Sequence, residues 1–318
     1  MKRNIENKEY DVVVIGGGLS GICAAIAAAR HGAKTALVQD RPVIGGNASS
    51  EIKMHICGAD IHATKPNTRE TGIIEELLLT NRIRNPQQSF SVQDYVFEEI
   101  VRAEPNLDLY LNTRMRDVQM KDNVIVSIEA EQMTTEKLYR FNARYFADTT
   151  GDGFLGYCAG AEFMYGRESR YEFNEKDAPE THDNKLMGNS LMFTAKDMGY
   201  PVPFEKPDWA YSYSEEDLKR RDHSEITSGY WWIEASSSEI IEKGDDIRKE
   251  LVKMLFGIWD HIKNVPGHNA ENYALDWIGA LPGKRESRRL KGDYVLTEND
   301  LVDGKGFYDA VAYGGWNM

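Results

Sequence analysis

The amino-terminal part of the chain alternates short apolar runs with a segment of helical character. Residues 12–15 read Val-Val-Val-Ile, a β-branched run that is typical of a strand buried on both faces of a parallel sheet. Residues 24–30 are rich in alanine and predict a helix, and residues 35–38 predict a second strand. This order of elements predicts a βαβ unit of about 30 residues.

The pattern further along the chain predicts two helices, a short strand and a candidate β-meander. Residues 71–81 and 92–102 have helical periodicity, with acids near their starts and arginines at their ends. Residues 107–111 predict a short strand. A Lys-Asp-Asn turn typical of a hairpin joins the first two of three further strands, at residues 115–120, 124–131 and 139–147.

The second half of the chain has a different character, which indicates a second domain. All six tryptophans follow residue 208. Residues 245–261 predict an amphipathic helix, and residues 214–221 predict a capped surface helix. We therefore divide the chain into a first domain, a second domain and a segment that returns to the first, at residues 1–164, 165–275 and 276–318.

Charge and composition exclude several classes of protein. The 38 basic and 51 acidic residues give a net charge of −13, so the chain lacks the positive field on which nucleic-acid binding depends. An uncharged run at residues 12–29 has the length of a membrane helix, but four glycines interrupt it. We therefore expect neither a nucleic-acid partner nor a membrane partner.

Cysteine usage predicts a reducing, cytoplasmic location without a metal centre. The three cysteines form no C-x-x-C pair, which excludes a recognisable disulfide framework or iron–sulfur ligand set. His55, Cys57 and His62 lie close in sequence, but no further ligand follows at a spacing that zinc sites use. We expect no metal.

The first predicted strand and helix are joined by a G-x-G-x-x-G sequence, residues 16–21. Glycines at these places permit a tight turn, close approach of a diphosphate and close helix–strand packing. The helix amino terminus then offers backbone N–H groups to the phosphates. The candidate dinucleotide contacts in this loop are Gly16, Gly18, Leu19, Ser20 and Gly21.

The residue at the end of the second strand differs from the one usually found at dinucleotide-binding sites. An acid that binds the adenosine ribose is expected there, but the chain has Gln39, followed by Asp40 and Arg41. Glutamine can still bond to a ribose hydroxyl, and strand alternation directs Asp40 to the opposite face. We include all three residues among the candidate contacts.

A Gly-Gly pair follows just past this strand, within residues 41–47 (Arg-Pro-Val-Ile-Gly-Gly-Asn). Together with the GGGLSG loop and three later segments, it makes the sequence resemble the bacterial FAD-dependent oxidoreductases. These have a glutathione-reductase-type fold and are related to the flavin subunit of heterodisulfide reductase. The later segments are Asn-Ala-Ser-Ser-Glu at 47–51, Ala-Asp-Thr-Thr-Gly-Asp-Gly at 147–153 and Arg-Glu-Ser-Arg-Arg at 285–289.

The resemblance implies an α/β fold and a set of site residues. A Rossmann-like FAD-binding domain, with a parallel sheet and a β-meander crossover, would carry an inserted α+β substrate domain. Additional FAD contacts implied by the resemblance are Gly45, Gly46, Asn47, Ala48, Ser49, Thr150, Gly151 and Asp152. The segment from Asn47 would run beneath the isoalloxazine ring, where Ser49 could tune the flavin.

Two further residues are candidates for catalysis. His55 is a nearby base that could take a substrate proton, although a histidine near a core strand often has only a structural role. Arg288 lies in the basic segment 284–291 and could bind a substrate carboxylate or the diphosphate. Internal pairing with the acidic surplus is the equal alternative for this segment.

The predicted activity is hydride transfer between a small polar substrate, such as a carbohydrate or hydroxy acid, and flavin. No second G-x-G-x-x-G sequence is present, so the electron acceptor stays open. A non-catalytic or truncated flavin- or nucleotide-binding module and an NAD-dependent dehydrogenase are the alternatives. The resemblance also implies a Gly-Asp loop and helix near the carboxyl terminus, which leads us to expect a truncated chain.

Overall fold

The computed structural model describes residues 4–57, 70–221 and 223–311, without the side chains of residues 231 and 232. The described strands are β1 Ile5–Ile15, β2 Thr35–Val38, β3 Leu107–Tyr110, β4 Thr113–Lys121, β5 Val124–Gln132, β6 Lys137–Asp148, β7 Phe163–Met164, β8 Asn189–Asp197, β9 Tyr230–Ala235, β10 Tyr273–Ile278 and β11 Arg289–Leu290. The helices are α1 Leu19–Arg30, α2 Ile73–Arg84, α3 Phe90–Ala103, α4 Phe154–Cys158, α5 Arg170–Phe173, α6 Glu215–Leu218, α7 Gly244–Asn264 and α8 Glu298–Val302.

A six-stranded sheet organises the first compact unit, in the order β3-β2-β1-β6-β5-β4. β1 pairs in parallel with β2 and β6, and β2 pairs in parallel with β3. β5 pairs antiparallel with both β4 and β6, so the predicted meander is present and continues the parallel sheet. Asp122 and Asn123 both have positive φ, at 49° and 62°, as a two-residue hairpin turn requires.

Strand alternation in β1 divides the core of this unit into two layers. Val14 lies fully buried on one face, among residues from α1, α2 and α3. Val13 and Ile15 lie on the other face, in a cluster that includes Phe141 of β6 and residues of β4 and β5. The β-branched run at the end of β1 is thus buried on both faces, which confirms the parallel-sheet interpretation.

The second compact unit contains the sheet β10-β8-β9, with α7 packed against β8 and β9. In its core, Phe193 contacts two other aromatic side chains. The rings of Phe193 and Tyr230 are stacked with centroids 5.0 Å apart, and Trp259 of α7 meets Phe193 edge-on at 5.5 Å. The predicted amphipathic helix is present and extends from residue 244 to 264. The predicted surface helix is wrong in length, because it keeps its capping box but spans only four residues.

The boundaries of the two units differ in detail from the sequence-based division. The first unit comprises residues 1–50, 55–181 and 288–318, and the second comprises 51–54 and 182–287. The first unit is thus discontinuous along the chain, and the sequence-based division into domains stays a prediction. Within the described residues, none of the helices has both the length and the apolar character needed to span a bilayer.

Candidate functional site

Two glycines of the G-x-G-x-x-G loop are required by the packing of the loop itself. A Cβ atom on Gly16 would lie 2.3 Å from the carbonyl oxygen of Thr149, and Gly16 also has a φ of +106°. A Cβ atom on Gly21 would lie 1.9 Å from the carbonyl oxygen of Gly16. The first and last glycines therefore let α1 start close against the ends of β1 and β6.

Gly18 has a different environment, because a Cβ atom there would meet nothing within 4 Å. Its φ of −69° is accessible to any residue, so backbone conformation does not require a glycine. Gly18 is the N-cap of α1, and this helix has neither a side-chain cap nor an acid in its first turn. Its amino-terminal N–H groups thus adjoin open space that suits an anion.

The second glycine pair lies directly against this loop. The amide of Gly45 donates to the carbonyl oxygen of Gly17 at 2.8 Å, and Gly18 and Gly45 form a parallel bridge. A Cβ atom on Gly46 would lie 3.1 Å from the Cα atom of Gly18. The two glycine segments are therefore in direct backbone contact. Leu19 and Ser20 follow the first segment at the start of α1, and Asn47 and Ala48 follow the second.

Gln39 joins these two segments through its side chain. Its Oε1 accepts a hydrogen bond from the Gly17 amide at 2.7 Å, and its Nε2 donates to the Val43 carbonyl oxygen at 3.1 Å. Gln39 is 4% exposed whereas Asp40 is exposed, as strand alternation predicted. Each polar atom of the amide can form one more hydrogen bond, so contact of Gln39 with a ribose stays a prediction, as it does for Asp40 and Arg41.

The segment that follows Gly46 is held by two buried polar residues of α3. Nε2 of Gln93 donates to the carbonyl oxygen of Ala48 at 2.8 Å. Both carboxylate oxygens of Asp94, which is 3% exposed, accept from the amide of Ser50 at 3.1 Å. Sequence analysis missed Gln93 and Asp94, although polar residues on the inner face of an amphipathic helix are a detectable signal.

Ser49 lies between these anchored positions and is 1% exposed. Its Oγ atom has no hydrogen-bond partner among the described residues. Buried hydroxyls are almost always hydrogen-bonded in proteins, so this atom is available to a ligand held beside the glycine segments. This agrees with the sequence-based expectation that Ser49 contacts the cofactor, which stays a prediction.

The loop after β6 closes the other side of the glycine loop. Oγ1 of Thr149 donates to the carbonyl oxygens of Ile15 and Gly16, at 2.8 Å and 2.7 Å. The carboxylate of Asp148 accepts from the amide and hydroxyl of Thr150 and from the amide of Gly156. These bonds fix the turn that carries Thr150 and the two residues expected to contact cofactor after it, Gly151 and Asp152.

The three candidate catalytic residues have different surroundings. His55 is exposed, and desolvation by the surrounding protein lowers the pKa of its imidazole from the ordinary value. The Arg288 guanidinium lies 4.0 Å from the centroid of the Tyr157 ring and donates to the carbonyl oxygen of Asp152 at 3.3 Å. Arg288 is thus beside the loop after β6, whereas Ser49 is beside the glycine pair. His62 lies outside the described residues.

The rest of the basic segment is largely paired internally. Arg289 forms an ion pair with Glu168 at 2.5 Å, and Arg285 forms one with Glu234 at 2.8 Å. Arg288 forms no ion pair with a carboxylate in the part of the chain that the structure describes. Of the two alternatives for this segment, internal pairing thus holds for Arg285 and Arg289, whereas Arg288 has no carboxylate partner among the described residues.

These residues fit an FAD molecule. The open space at Gly18 and the uncapped start of α1 suit the diphosphate. The buried Oγ of Ser49, just after the second glycine segment, can form a hydrogen bond to another part of the cofactor. Among the described residues, no side chain caps the start of α1, where the diphosphate would bind, and the first turn of this helix contains no acid. The residues expected to hold the cofactor therefore lie on adjoining loops of one compact unit.

Comparisons with known proteins identify the family of this chain. The sequence profile of the family described as FAD dependent oxidoreductase matches residues 11–318. An aerobic glycerol-3-phosphate dehydrogenase from Staphylococcus haemolyticus is 34% identical over 82 residues, which cover 24% of this chain and 15% of that protein. The tRNA uridine 5-carboxymethylaminomethyl modification enzyme MnmG from a Sulfurihydrogenibium species is 29% identical over 157 residues, or 45% and 25% of the two chains.

Among solved structures, a geranylgeranyl bacteriochlorophyll reductase-like protein from Thermoplasma acidophilum matches with a TM-score of 0.44 and 14% identity. The match covers 87% of this chain and 66% of that one. The aligned regions span a quarter or less of the two curated relatives. The family match itself extends over nearly the whole chain. This protein therefore belongs to the FAD-dependent oxidoreductase family, whose cofactor is FAD.

Proposed function

We propose that the chain binds FAD at its two glycine segments and oxidises a small polar substrate, such as a carbohydrate or a hydroxy acid. Within its family we place it with the glutathione-reductase-type flavoproteins related to the flavin subunit of heterodisulfide reductase. When bound, FAD supplies a two-electron acceptor for hydride. The protein's own contribution is to hold the cofactor, to orient the substrate and to take up a proton.

One observation carries the proposal. Gly18 lies at the amino terminus of α1, which has no side-chain cap, and no atom of the described residues lies within 4 Å of the position that its Cβ would take. Packing explains Gly16 and Gly21, whereas no contact with a described residue requires a glycine at position 18. A ligand whose phosphates approach the backbone accounts for it.

The charges of His55 and Arg288 support the catalytic roles proposed for them. The lowered pKa of His55 favours a neutral imidazole at pH 7, which is the form that accepts a proton from a hydroxyl group. The Arg288 guanidinium, which forms no ion pair among the described residues, suits a carboxylate or phosphate. Because a curated relative is named for glycerol 3-phosphate, this compound belongs in a substrate panel with sugars and 2-hydroxy acids.

Flavin binding is tested with Gly18→Glu, which places a negative charge where the diphosphate would lie. Purified wild-type protein is expected to show a flavin absorption spectrum and to release FAD on acid treatment. The variant is expected to lose bound FAD while keeping its fold by circular dichroism. Gly244→Glu is the matched control, because Gly244 is also at a helix start and also has open space at its Cβ.

Retention of FAD by Gly18→Glu would contradict the assignment of the diphosphate site. A colourless wild-type protein that binds NAD and not added FAD would favour the nicotinamide-dependent dehydrogenase instead. Catalysis is tested separately, by anaerobic titration of the bound flavin with the substrate panel. Bleaching by one compound identifies the substrate class, and bound FAD that no compound reduces would favour a non-catalytic flavin-binding module.

A further inference from the structure

A second group of reactive side chains lies far in sequence from the glycine loops, within the second compact unit. The ligand atoms of Glu215, His223, His261 and His268 all lie within 4.8 Å of one another. The imidazole rings are mutually close, with centroid separations of 4.7, 5.0 and 5.2 Å. We call these four residues the histidine cluster. Three of the chain's seven histidines are thus gathered around one carboxylate.

The hydrogen bonding of His261 determines which of its ring nitrogens faces the cluster. This side chain is 1% exposed, and its Nδ1 lies 3.0 Å from the carbonyl oxygen of Tyr213. A carbonyl can only accept, so Nδ1 carries a hydrogen. In the neutral ring Nε2 then carries a lone pair, and Nε2 lies 3.2 Å from Oε1 of Glu215.

A ring nitrogen and a carboxylate oxygen at this distance attract each other when either a proton or a metal ion lies between them. Nε2 of His268 also approaches Glu215 and lies 2.9 Å from the same Oε1 atom. This contact lacks the angles of a hydrogen bond. Two imidazole nitrogens and one carboxylate oxygen thus converge on a common point, as the ligands of a metal ion do.

Lys263 holds the loop that carries His268 in place. Its ammonium group donates to the carbonyl oxygens of Ala270, Glu271 and Tyr273, at 2.7, 2.5 and 2.7 Å. Lys263 is 8% exposed, so these three bonds satisfy all the donors of a buried ammonium. The loop after α7 is therefore fixed by the helix that also carries His261.

Glu215 is positioned by the capping box of α6. The Ser214 hydroxyl accepts from the Asp217 amide, and the Asp217 carboxylate accepts from the Ser214 amide. The Glu215 side chain is 58% exposed, whereas those of His261 and His268 are 1% and 11% exposed. The two imidazoles therefore lie on the buried side of the cluster, and the carboxylate lies on its solvent side.

We propose that the histidine cluster binds one divalent transition-metal ion, with zinc the first candidate, and that the ion stabilises the second compact unit. Imidazole and carboxylate donors suit zinc and its neighbours in the first transition series. The bond from Nδ1 of His261 to a backbone carbonyl is the outer-shell contact that orients metal-ligating histidines. The site would link α6, α7 and the loops at residues 223 and 268.

Binding requires only a small contraction of the cluster. Ligand atoms about 2.0–2.1 Å from a tetrahedral zinc ion are about 3.3 Å apart, and the present atoms lie within 4.8 Å. The exposed Glu215 side chain can move without disturbing the core. His223 lies in a loop between α6 and β9, so it too can approach the ion.

The test is zinc uptake by the full chain after EDTA treatment and dialysis. We expect one equivalent of zinc per chain by elemental analysis, and a rise in Tm when zinc is restored. Cobalt should give visible d–d bands in the difference spectrum. We expect His223→Gln/His268→Gln to weaken zinc binding, measured by chelator competition, by more than the 10–100-fold that losing an outer-shell partner costs.

His182→Gln is the matched control, because His182 is an exposed histidine of the same unit and lies outside the cluster. It should bind zinc as the wild type does. The double variant spares His261, whose buried imidazole is most needed for folding. Failure of the wild type to take up stoichiometric zinc would overturn the proposal. Unchanged zinc affinity in the double variant would also overturn it, and neither result depends on flavin binding.

Discussion

The amide of Gly17 donates a hydrogen bond to the side-chain oxygen of Gln39, and the two atoms are 2.7 Å apart in the buried interior. This bond joins the centre of the first glycine segment to the end of β2. The Gln39 amide then donates to Val43, just before the second glycine pair. One side chain thus links the two segments at which the cofactor is proposed to bind.

Removal of this link is expected to destabilise the site. Gln39→Leu keeps most of the volume but leaves the Gly17 amide buried without an acceptor, which costs about 1–3 kcal/mol. We expect a lower free energy of unfolding in urea and weaker FAD binding. Gln87→Leu, at an exposed position, is the control and should change stability by less than about 0.5 kcal/mol. Equal stability of the two variants would contradict the role given to Gln39.

Substitutions at Gly16 and Gly18 are expected to differ in their effect on stability, because Gly16 is a packing position and Gly18 faces the proposed ligand. Gly16→Ala forces a Cβ to 2.3 Å from the Thr149 carbonyl oxygen at a φ of +106°, so we expect a loss of about 3 kcal/mol or more. Gly18→Ala has open space and an ordinary φ and should cost about 1 kcal/mol or less. Chemical denaturation of both variants without FAD measures the difference. A Gly18→Ala protein as unstable as Gly16→Ala would show that position 18 is also a packing position.

Asp94 is expected to support the cofactor segment from behind. Asp94→Asn keeps one oxygen acceptor but removes the charge that binds the Ser50 amide, which we expect to cost about 1–3 kcal/mol and to weaken FAD binding. The control is Glu98→Gln on the same helix, where only an exposed pair with Arg102 is lost. Such pairs contribute about 0.3–0.5 kcal/mol. Fluorescence titration with FAD measures the effect, and equal FAD affinity of both variants would argue against this support.

His55 is expected to produce an acid limb in the pH dependence of activity. Its folded-state pKa is lowered by desolvation, so the neutral form persists below the ordinary value of about 6.5 and is lost only as the pH falls through the lowered pKa. We therefore expect kcat/KM for the identified substrate to be constant near pH 7 and to fall at lower pH. His55→Gln should lower kcat and abolish this limb. An unchanged acid limb in the variant would assign the titration to another group.

Much of the nucleotide-binding fold could be predicted from local sequence. The β-branched run of β1, the glycines after it and the alanine-rich helix are constrained by neighbours a few residues away, and all three elements are present. The meander was predicted for the same reason, since alternation and an Asp-Asn turn are local signals. The short α6 was overestimated because charged residues continue beyond its end, where local composition does not reveal where the backbone turns.

The sequence by itself determined the family, the βαβ start and the place of the glycine segments, because these depend on short-range backbone geometry. Only the tertiary structure distinguished Gly18, which faces open space, from Gly16, which faces Thr149. It also decided that Gln39 bonds to the glycine loop. The histidine cluster also could not be predicted from the sequence, because His223 and His261 are 38 positions apart. Only the packing of α7 against its neighbouring loops brings them together. Side chains so distant in sequence meet through long-range packing, which no local spacing encodes.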